Sequence, residues 1–210
     1  MINLILLILT AAFVPGPDWR DITPAPDLKG WRSSGRAKSS WTVRGGVLCG
    51  KWRLWNVLYA GGWIWSEAVY SDFDLRLEYC INPGGNSGVA VRWPRDAGSR
   101  PSQSGYEVQI MDRSEAEYPT GSIYGLVRAP GGLSRPGEWN RMLIRGQGQT
   151  ISVWLNGTKA AELSHSGPLR GRIGFQVHDP FSKPRFRNIQ IRPAPDNRPP
   201  EAKNRGNSPH

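Results

Sequence analysis

Apolar and polar side chains alternate with a period of two in several short runs of this chain. The clearest run is DFDLRLEYC at residues 72–80. Its odd-numbered positions are apolar, whereas Arg76 and Glu78 lie among the even-numbered ones. Because successive side chains of a strand point to opposite faces of a sheet, this run predicts a strand with one face in the core. The period therefore favours sheets over helices.

Three further runs show the same alternation and set polar residues against their apolar positions. They are NSGVAVR at 86–92, GYEVQIMD at 105–112 and GFQVH at 174–178. If every strand is regular, the polar positions share one concave face. That face would gather Glu78, Arg92, Glu107, Gln109, Gln176 and His178. Such a mixture of acids, amides, arginine and histidine is typical of a carbohydrate-binding cleft.

Composition and turn signals favour one all-β domain. The chain has 210 residues, of which 25 are Gly and 18 Pro, enough for one substantial core. No long amphipathic helical pattern occurs, so a sandwich or barrel is expected. The domain is predicted at 19–192, with strands at 41–48, 62–66, 73–81, 88–93, 106–111, 139–145, 150–155, 172–177 and 186–191. Two long connections, 94–104 and 112–135, flank the strand of Glu107, where loops often carry function.

The two ends of the chain differ from this domain. Residues 1–14, MINLILLILTAAFV, have the length of a signal-peptide core and are too short to span a bilayer comfortably. A buried first strand is the alternative, which Pro15, Gly16 and Pro17 disfavour. We expect a periplasmic or secreted protein without stable membrane insertion after cleavage. Residues 193–210 are rich in Pro and polar residues and are predicted to be a disordered tail.

The charge of the chain is strongly basic but evenly spread. The formal net charge is +10 at pH 7. Arginines occur singly, without a Lys/Arg block, zinc-ligand spacing or basic helix, so no nucleic-acid partner is predicted. General basicity would give only weak association with anionic polymers or lipid headgroups.

Tryptophan and cysteine bear on the site and on the compartment. Most of the 10 Trp residues are expected to pack in the core, but a Trp face also covers the apolar side of a sugar ring. Cys49 and Cys80 could pair in an oxidising compartment, although two unpaired buried thiols are the favoured interpretation.

The succession of short motifs resembles the 3-keto-disaccharide hydrolase family. The motifs are YSDF at 70–73, NSG at 86–88 with Arg92, GYEVQIMD at 105–112, PTGSIY at 119–124, GEWN at 137–140, WLNG at 154–157, GRIGFQVH at 171–178 and FRNIQI at 186–191. They cover about 160 residues in the family's order. The resemblance implies a concanavalin A-like jelly-roll sandwich of two antiparallel sheets.

The resemblance also implies a substrate and a chemistry. The concave face would bind a glycoside or oligosaccharide oxidised to a ketone at C3, whose C2 proton is acidic enough for a carboxylate to remove. Glu107 is the predicted base, Arg92 the stabiliser of the enolate, and His178 the acid or a metal ligand, with Glu78 able to share either task. The predicted substrate-binding residues are Asn86, Gln109, Asp112, Tyr124 and Gln176.

Each of these assignments has a simpler alternative. Glu107 and Arg92 would form an ordinary salt bridge, Asp112 would cap a turn, and His178 would be an ordinary hydrogen-bonded histidine. No cofactor is certain. A divalent metal held by His178 with Glu78, Glu107 or Asp112 is chemically reasonable, although no His-x-x-x-His spacing occurs.

Two other functions fit the same fold. Laminarinase-type glucanases carry Glu-x-Asp-x-x-Glu, whereas this chain has Glu107-x-Gln109-x-x-Asp112, which weakens a two-carboxylate mechanism. The alternative from another class is a carbohydrate-binding, lectin-like domain without catalysis.

Overall fold

The computed structural model describes residues 18–33, 40–53, 62–94, 104–113 and 115–194, and in them the chain forms β-strands joined by turns and loops. The strands are β1 Arg20–Asp21, β2 Trp31–Ser33, β3 Trp41–Arg44, β4 Val47–Gly50, β5 Gly62–Ser66, β6 Phe73–Cys80, β7 Asn86–Trp93, β8 Tyr106–Met111, β9 Asn140–Gln147, β10 Thr150–Leu155, β11 Thr158–Ser164, β12 Arg172–Val177 and β13 Arg185–Pro193.

The strands form two antiparallel sheets. The eight-stranded sheet has the order β11-β10-β9-β6-β13-β4-β3, with β1 added beside β13, and the five-stranded sheet has the order β2-β5-β12-β7-β8. One hydrophobic core contains side chains from both sheets, including Leu75, Val89 and Phe175. The predicted all-β, concanavalin A-like jelly-roll sandwich is confirmed.

The period-two pattern of β6 is reproduced in space. Phe73, Leu75, Leu77 and Tyr79 are at most 1% exposed and belong to the core. The alternate residues face away from the core, where Asp74 and Glu78 form ion pairs with arginines of β9 and β13. A sheet with one face in the core requires this alternation.

Some predicted strands needed correction. The single strand predicted at 41–48 is a hairpin of β3 and β4, because Gly45 and Gly46 both adopt positive φ values, 54° and 73°, and turn the chain back. The strand β11 was missed. It follows the turn at Asn156 and Gly157, which have φ values of 52° and 88°, as a two-residue hairpin turn requires.

A bulge interrupts β7 near its end. Trp93 pairs with Arg172 and Ala90 with Gly174, so two residues of β7, Val91 and Arg92, lie opposite one residue of β12. Arg92 has a φ of 51°. The extra residue breaks the period of two, and Trp93 takes the face that a regular strand would give to Arg92.

The two cysteines lie on strands that do not pair. Cys49 on β4 and Cys80 on β6 each pair with Arg185 of β13, which runs between them, and both thiols are free. Two strand spacings put their Cα atoms about 10 Å apart, beyond the reach of a disulfide.

The predicted signal peptide at 1–14 lies outside the described residues, as does the predicted tail except for Pro193 and Ala194. In the described ranges no helix has the length and apolar character needed to cross a membrane.

Candidate functional site

The outer face of the five-stranded sheet carries most of the polar residues predicted for the site. Core residues such as Val89, Val108 and Phe175 alternate along its strands with residues that point away from the core. We call this outward set the glutamate face. It comprises Trp63, Trp65, Asn86, Gly88, Ala90, Trp93, Glu107, Gln109, Arg172, Gly174 and Gln176.

The carboxylate of Glu107 lies over Gly88 of the neighbouring strand. A methyl group added at Gly88 would stand 2.5 Å from Glu107 Oε1. The carboxylate therefore fits because residue 88 has no side chain. Only 7% of Glu107 is exposed.

Burial changes the acidity of Glu107. It raises the pKa of this carboxyl group to about 7, and no charged group in the described part of the chain contributes to the shift. Desolvation disfavours the ionised form, whereas a guanidinium opposite it would have lowered the pKa. A carboxyl group with a pKa near 7 can accept and release a proton at neutral pH, as a general base must.

Three amide side chains surround Gly88. Gln109 is its cross-strand partner, and Gln109 Nε2 donates to Asn86 Oδ1 at 3.2 Å. Gln176 of β12 lies beside Gly88 on the side away from Gln109. Its Oε1 is buried without a hydrogen-bond partner among the described residues. The backbone N–H of Asn86 donates to Ser182 Oγ at 2.8 Å, which fixes the start of β7. Buried amides with spare hydrogen-bonding capacity suit the hydroxyls of a sugar.

Tryptophans form the other half of the glutamate face. Trp93 packs edge-on against Trp63 and Trp65, with ring centroids 5.6 and 5.0 Å apart, and this cluster includes Ala90. The guanidinium of Arg172 lies 5.3 Å from the ring centre of Trp65 and 5.5 Å from that of Trp93. The face therefore has a polar half around Gly88 and an aromatic half that carries one cation.

Tyr124 lies opposite Glu107 on a segment that pairs with the edge of β8. Tyr124 N donates to Glu107 O at 2.9 Å, and Gln109 N donates to Ser122 O at 2.9 Å. In this register Tyr124 and Glu107 occupy the same face. The Tyr124 side chain is 44% exposed and its ring lies 5.3 Å from that of Tyr118. An exposed tyrosine thus lies beside Glu107 on the same face.

Arg92 does not lie on the glutamate face, contrary to the sequence prediction. The bulge of β7 turns its side chain toward the other sheet, where it is fully buried. It donates to Gly148 O at 2.6 Å and to Ser71 O at 3.3 Å, and it contacts Asp72 at 3.2 Å. Arg92 therefore ties the two sheets together, and the predicted pair with Glu107 is wrong.

Glu78 is also placed elsewhere. It belongs to β6 of the eight-stranded sheet, where Arg187 Nε donates to its Oε2 at 2.6 Å and Arg141 lies 3.7 Å from its Oε1. Its outward position was predicted correctly, but the alternation of one strand cannot tell which of two sheets the strand joins.

Asp112 and His178 lie at the margins. Asp112 is one residue beyond β8, accepts a hydrogen bond from Ser134 Oγ at 3.2 Å and lines a separate cavity of about 440 Å³. His178 follows β12 directly, has a 46% exposed side chain and lies 3.3 Å from Asp179 Oδ2. Neither side chain is part of the buried polar half.

The residues do not fit a metal centre. In the described ranges, no three of His, Cys, Asp and Glu come together in a way that could hold a metal ion. Glu78 is on the other sheet from Glu107, and Asp179 Oδ1 accepts from the backbone N–H groups of Phe181 and Ser182.

Sequence reasoning overlooked three contributors to this face. Gly88 was placed at the start of a predicted strand without a role, Arg172 was one of many scattered arginines, and Trp93 was not distinguished from the core tryptophans. The adjoining NSG motif was a usable signal for Gly88, because glycine inside a strand often marks a close approach. Nothing in the sequence indicated that a bulge would exchange Arg92 for Trp93.

Comparisons with known proteins found a matching family and similar folds. A family model described as a 3-keto-alpha-glucoside-1,2-lyase-like domain matches residues 18–192. A candidate glycosyl hydrolase from Parabacteroides distasonis ATCC 8503 is 28% identical, with a TM-score of 0.69 over 83% of this chain and 98% of that one. No match to an individually curated protein was found.

More distant structures share the fold. The carbohydrate-binding module CBM66 from Bacillus subtilis is 16% identical, with a TM-score of 0.56 over 78% of this chain and 95% of that one. A Bacillus subtilis protein with a galectin-like fold is 15% identical, with a TM-score of 0.57 over 83% and 94% of the two chains.

Proposed function

Because the chain belongs to the 3-keto-alpha-glucoside-1,2-lyase-like family, we propose that it cleaves 3-keto-glycosides by elimination followed by hydration. The observation that carries this proposal is Glu107, a buried carboxyl group with a pKa near 7 that has amides around it and, among the described residues, no cation beside it. A proton-abstracting base needs this combination of burial, neutral-range pKa and neighbouring donors.

The first step is removal of the C2 proton. The ketone at C3 delocalises the electron pair left at C2, so that an enolate forms while Glu107 becomes protonated. Gln109 and Gln176 supply amide groups that orient the hydroxyls and the developing oxyanion without being ionised themselves. Trp65 and Trp93 offer an apolar wall for the C–H groups of a sugar ring.

The second step is loss of the leaving group. The electron pair of the enolate forms the C1–C2 double bond, the C1–O bond breaks, and the departing oxygen takes a proton from His178 or water at the exposed margin of the site. Water then adds: its oxygen bonds to C1, its spare proton goes to His178 or solvent and so restores the acid, and Glu107 returns a proton to C2. The net reaction is hydrolysis, and the carboxylate is regenerated.

Arg172 takes over the role first predicted for Arg92. It provides a guanidinium on the glutamate face. Arg172 lies on β12 and Glu107 on β8, with β7 between them, so the two strands are about 10 Å apart. We propose that its charge favours the build-up of negative charge on the bound sugar.

The test is turnover of a 3-keto-glucoside compared with its parent glucoside, each with and without a chelator. We expect cleavage of the keto sugar only, with no effect of the chelator. Binding of these sugars without cleavage would establish the lectin-like alternative that the similarity to CBM66 raises, and cleavage of the parent glucoside would contradict elimination from a ketone.

A further inference from the structure

We propose that the outer face of the eight-stranded sheet is a second binding surface, for an acidic polysaccharide. This surface, which we call the arginine face, consists of the outward residues of the three central strands β6, β9 and β13. Its charged members are Asp74, Arg76, Glu78, Arg141, Arg145, Arg185, Arg187 and Arg192. It lies on the opposite side of the sandwich from Glu107.

The charge exposed by the arginine face is positive, although it contains ion pairs. The Asp74 side chain is 0% exposed, whereas its partners Arg145 and Arg192 are 28% and 31% exposed. The same holds for Glu78 at 6%, with Arg141 and Arg187 at 37% and 38%. Each carboxylate thus lies beneath two guanidinium groups. A ligand that approaches from solvent meets the cations and not the anions.

The guanidinium groups are held in place before any ligand binds. Arg145 makes two hydrogen bonds to Asp74, at 2.6 and 2.9 Å, and Arg192 Nη2 makes one at 2.8 Å. Although burial raises the pKa of Asp74, these hydrogen bonds and charges outweigh it, so the pKa lies below its usual value. The carboxylate therefore stays ionised and keeps both arginines oriented. Preorganised cations lose little conformational entropy on binding.

Tryptophans lie between the arginines. The ring of Trp19 stacks against Arg76 and Arg192, at 4.1 and 4.6 Å from ring centre to guanidinium carbon. Trp139 lies under Arg187 at 4.0 Å and Arg185 at 5.4 Å. Stacking of a guanidinium on an indole fixes its plane while its N–H groups remain able to donate sideways.

These features favour an acidic polysaccharide over other polyanions. A fixed guanidinium fork matches a carboxylate in two-point contact. Nucleic-acid single strands need free aromatic faces for stacking, whereas Trp19 and Trp139 have guanidinium groups on their rings. Binding to an anionic membrane is favoured by projecting apolar anchors. The described residues with large exposed apolar side chains all lie outside this face; they are Tyr124, Leu126, Leu169 and Phe181.

The experiment measures binding of the full chain to polygalacturonate, with dextran, duplex DNA and anionic lipid vesicles for comparison, at several salt concentrations. The test variant is Arg141→Gln with Arg185→Gln. Arg187 remains on Glu78, and Arg185 donates to Cys80 Sγ and pairs with no carboxylate of the described residues, so none of their buried charges is left alone. A matched control removes two exposed arginines elsewhere, Arg128→Gln with Arg170→Gln, which leaves the same net charge.

We expect salt-sensitive binding to polygalacturonate and none to dextran. Each cation withdrawn from contact with a polyanion weakens binding by about fivefold. The test variant should therefore bind about twenty-five-fold more weakly, and the control variant nearly as well as the parent. Equal losses in the two variants would mean general basicity only, and tighter binding to DNA or vesicles than to polygalacturonate would also overturn the proposal. Thermal unfolding shows whether the variants fold. Turnover of a 3-keto-glucoside is measured separately, because it tests the glutamate face and not the arginine face.

Discussion

At the scale of single residues, the site depends on how Glu107 is buried. The carboxyl group lies over Gly88 without a cation, so burial alone raises its pKa to about 7. An arginine opposite, as the regular-strand pattern predicted, would have produced a paired carboxylate with a low pKa and little basicity. The bulge that removes Arg92 therefore improves Glu107 as a proton acceptor.

The raised pKa predicts a pH-dependent cost to folding. The folded protein holds the Glu107 proton up to pH about 7 and the unfolded chain only up to about 4.5, so stability falls as pH rises between these values. We expect Glu107→Gln to match the parent below pH 4.5 and to be about 3 kcal/mol more stable above pH 7. Denaturant unfolding of both proteins across this pH range measures the difference in their free energies of unfolding. A difference that stays constant with pH would contradict the raised pKa of Glu107.

Gly88 gives a prediction of its own. The methyl group of Gly88→Ala would stand 2.5 Å from Glu107 Oε1 and must displace the carboxylate. We expect the variant to fold, because the displaced atom is the end of a flexible side chain, and to lose about a hundredfold in turnover of a 3-keto-glucoside. Circular dichroism with steady-state kinetics measures both. A folded variant with parent activity would show that the position of Glu107 is not critical.

At the scale of strands, the bulge in β7 gives Arg92 a structural role instead of a place beside Glu107. Arg92 joins the sheets through Ser71, Gly148 and Asp72. We expect Arg92→Met to lower the free energy of unfolding by about 3 kcal/mol, since the carbonyls of Ser71 and Gly148 lose a charged donor whose own side chain is fully buried. Turnover per folded molecule should remain close to that of the parent. Lost turnover in a stable variant would instead return Arg92 to the chemistry.

Comparison of these strands with the sequence shows what a pattern can predict. The apolar face of β6 and the outward positions of Glu107, Gln109 and Gln176 follow from alternation within regular strands. Alternation cannot assign β6 to one of two sheets, so Glu78 was misplaced. Alternation also cannot predict an inserted residue, so the positions of β7 after Val91 lie on the opposite face from the predicted one. The hairpin at Gly45-Gly46 was missed because short apolar runs on both sides read as one strand.

At the scale of the whole molecule, the sandwich presents two chemically different faces. The glutamate face buries one neutral-range carboxyl among amides and tryptophans, whereas the arginine face exposes cations above buried carboxylates. The fold and the family could be predicted from the order of motifs. The arginine face could not, because its arginines are scattered singly in sequence and converge only when β6, β9 and β13 pair.

Export and the state of the thiols can be examined on the intact protein. We propose that residues 1–14 are removed as a signal peptide and that Cys49 and Cys80 stay reduced even in an oxidising compartment, because β13 separates them. Mass spectrometry after alkylation in denaturant without reductant should find a shortened N-terminus and two alkylated thiols. An intact N-terminus would refute export, and an intramolecular disulfide would refute the strand arrangement.

The most direct test of the proposed function is cleavage of a 3-keto-glucoside in D₂O by the parent protein and by Glu107→Gln. The substitution keeps size and hydrogen bonding but removes the base, so the rate should fall by roughly a hundredfold to ten-thousandfold. Because protonated Glu107 exchanges its proton with solvent before water adds at C1, the parent should release a keto sugar that carries deuterium at C2 above a protein-free blank, and the folded variant should release almost none. If folded Glu107→Gln cleaves the substrate at the parent rate with the same deuterium content, Glu107 is not the base.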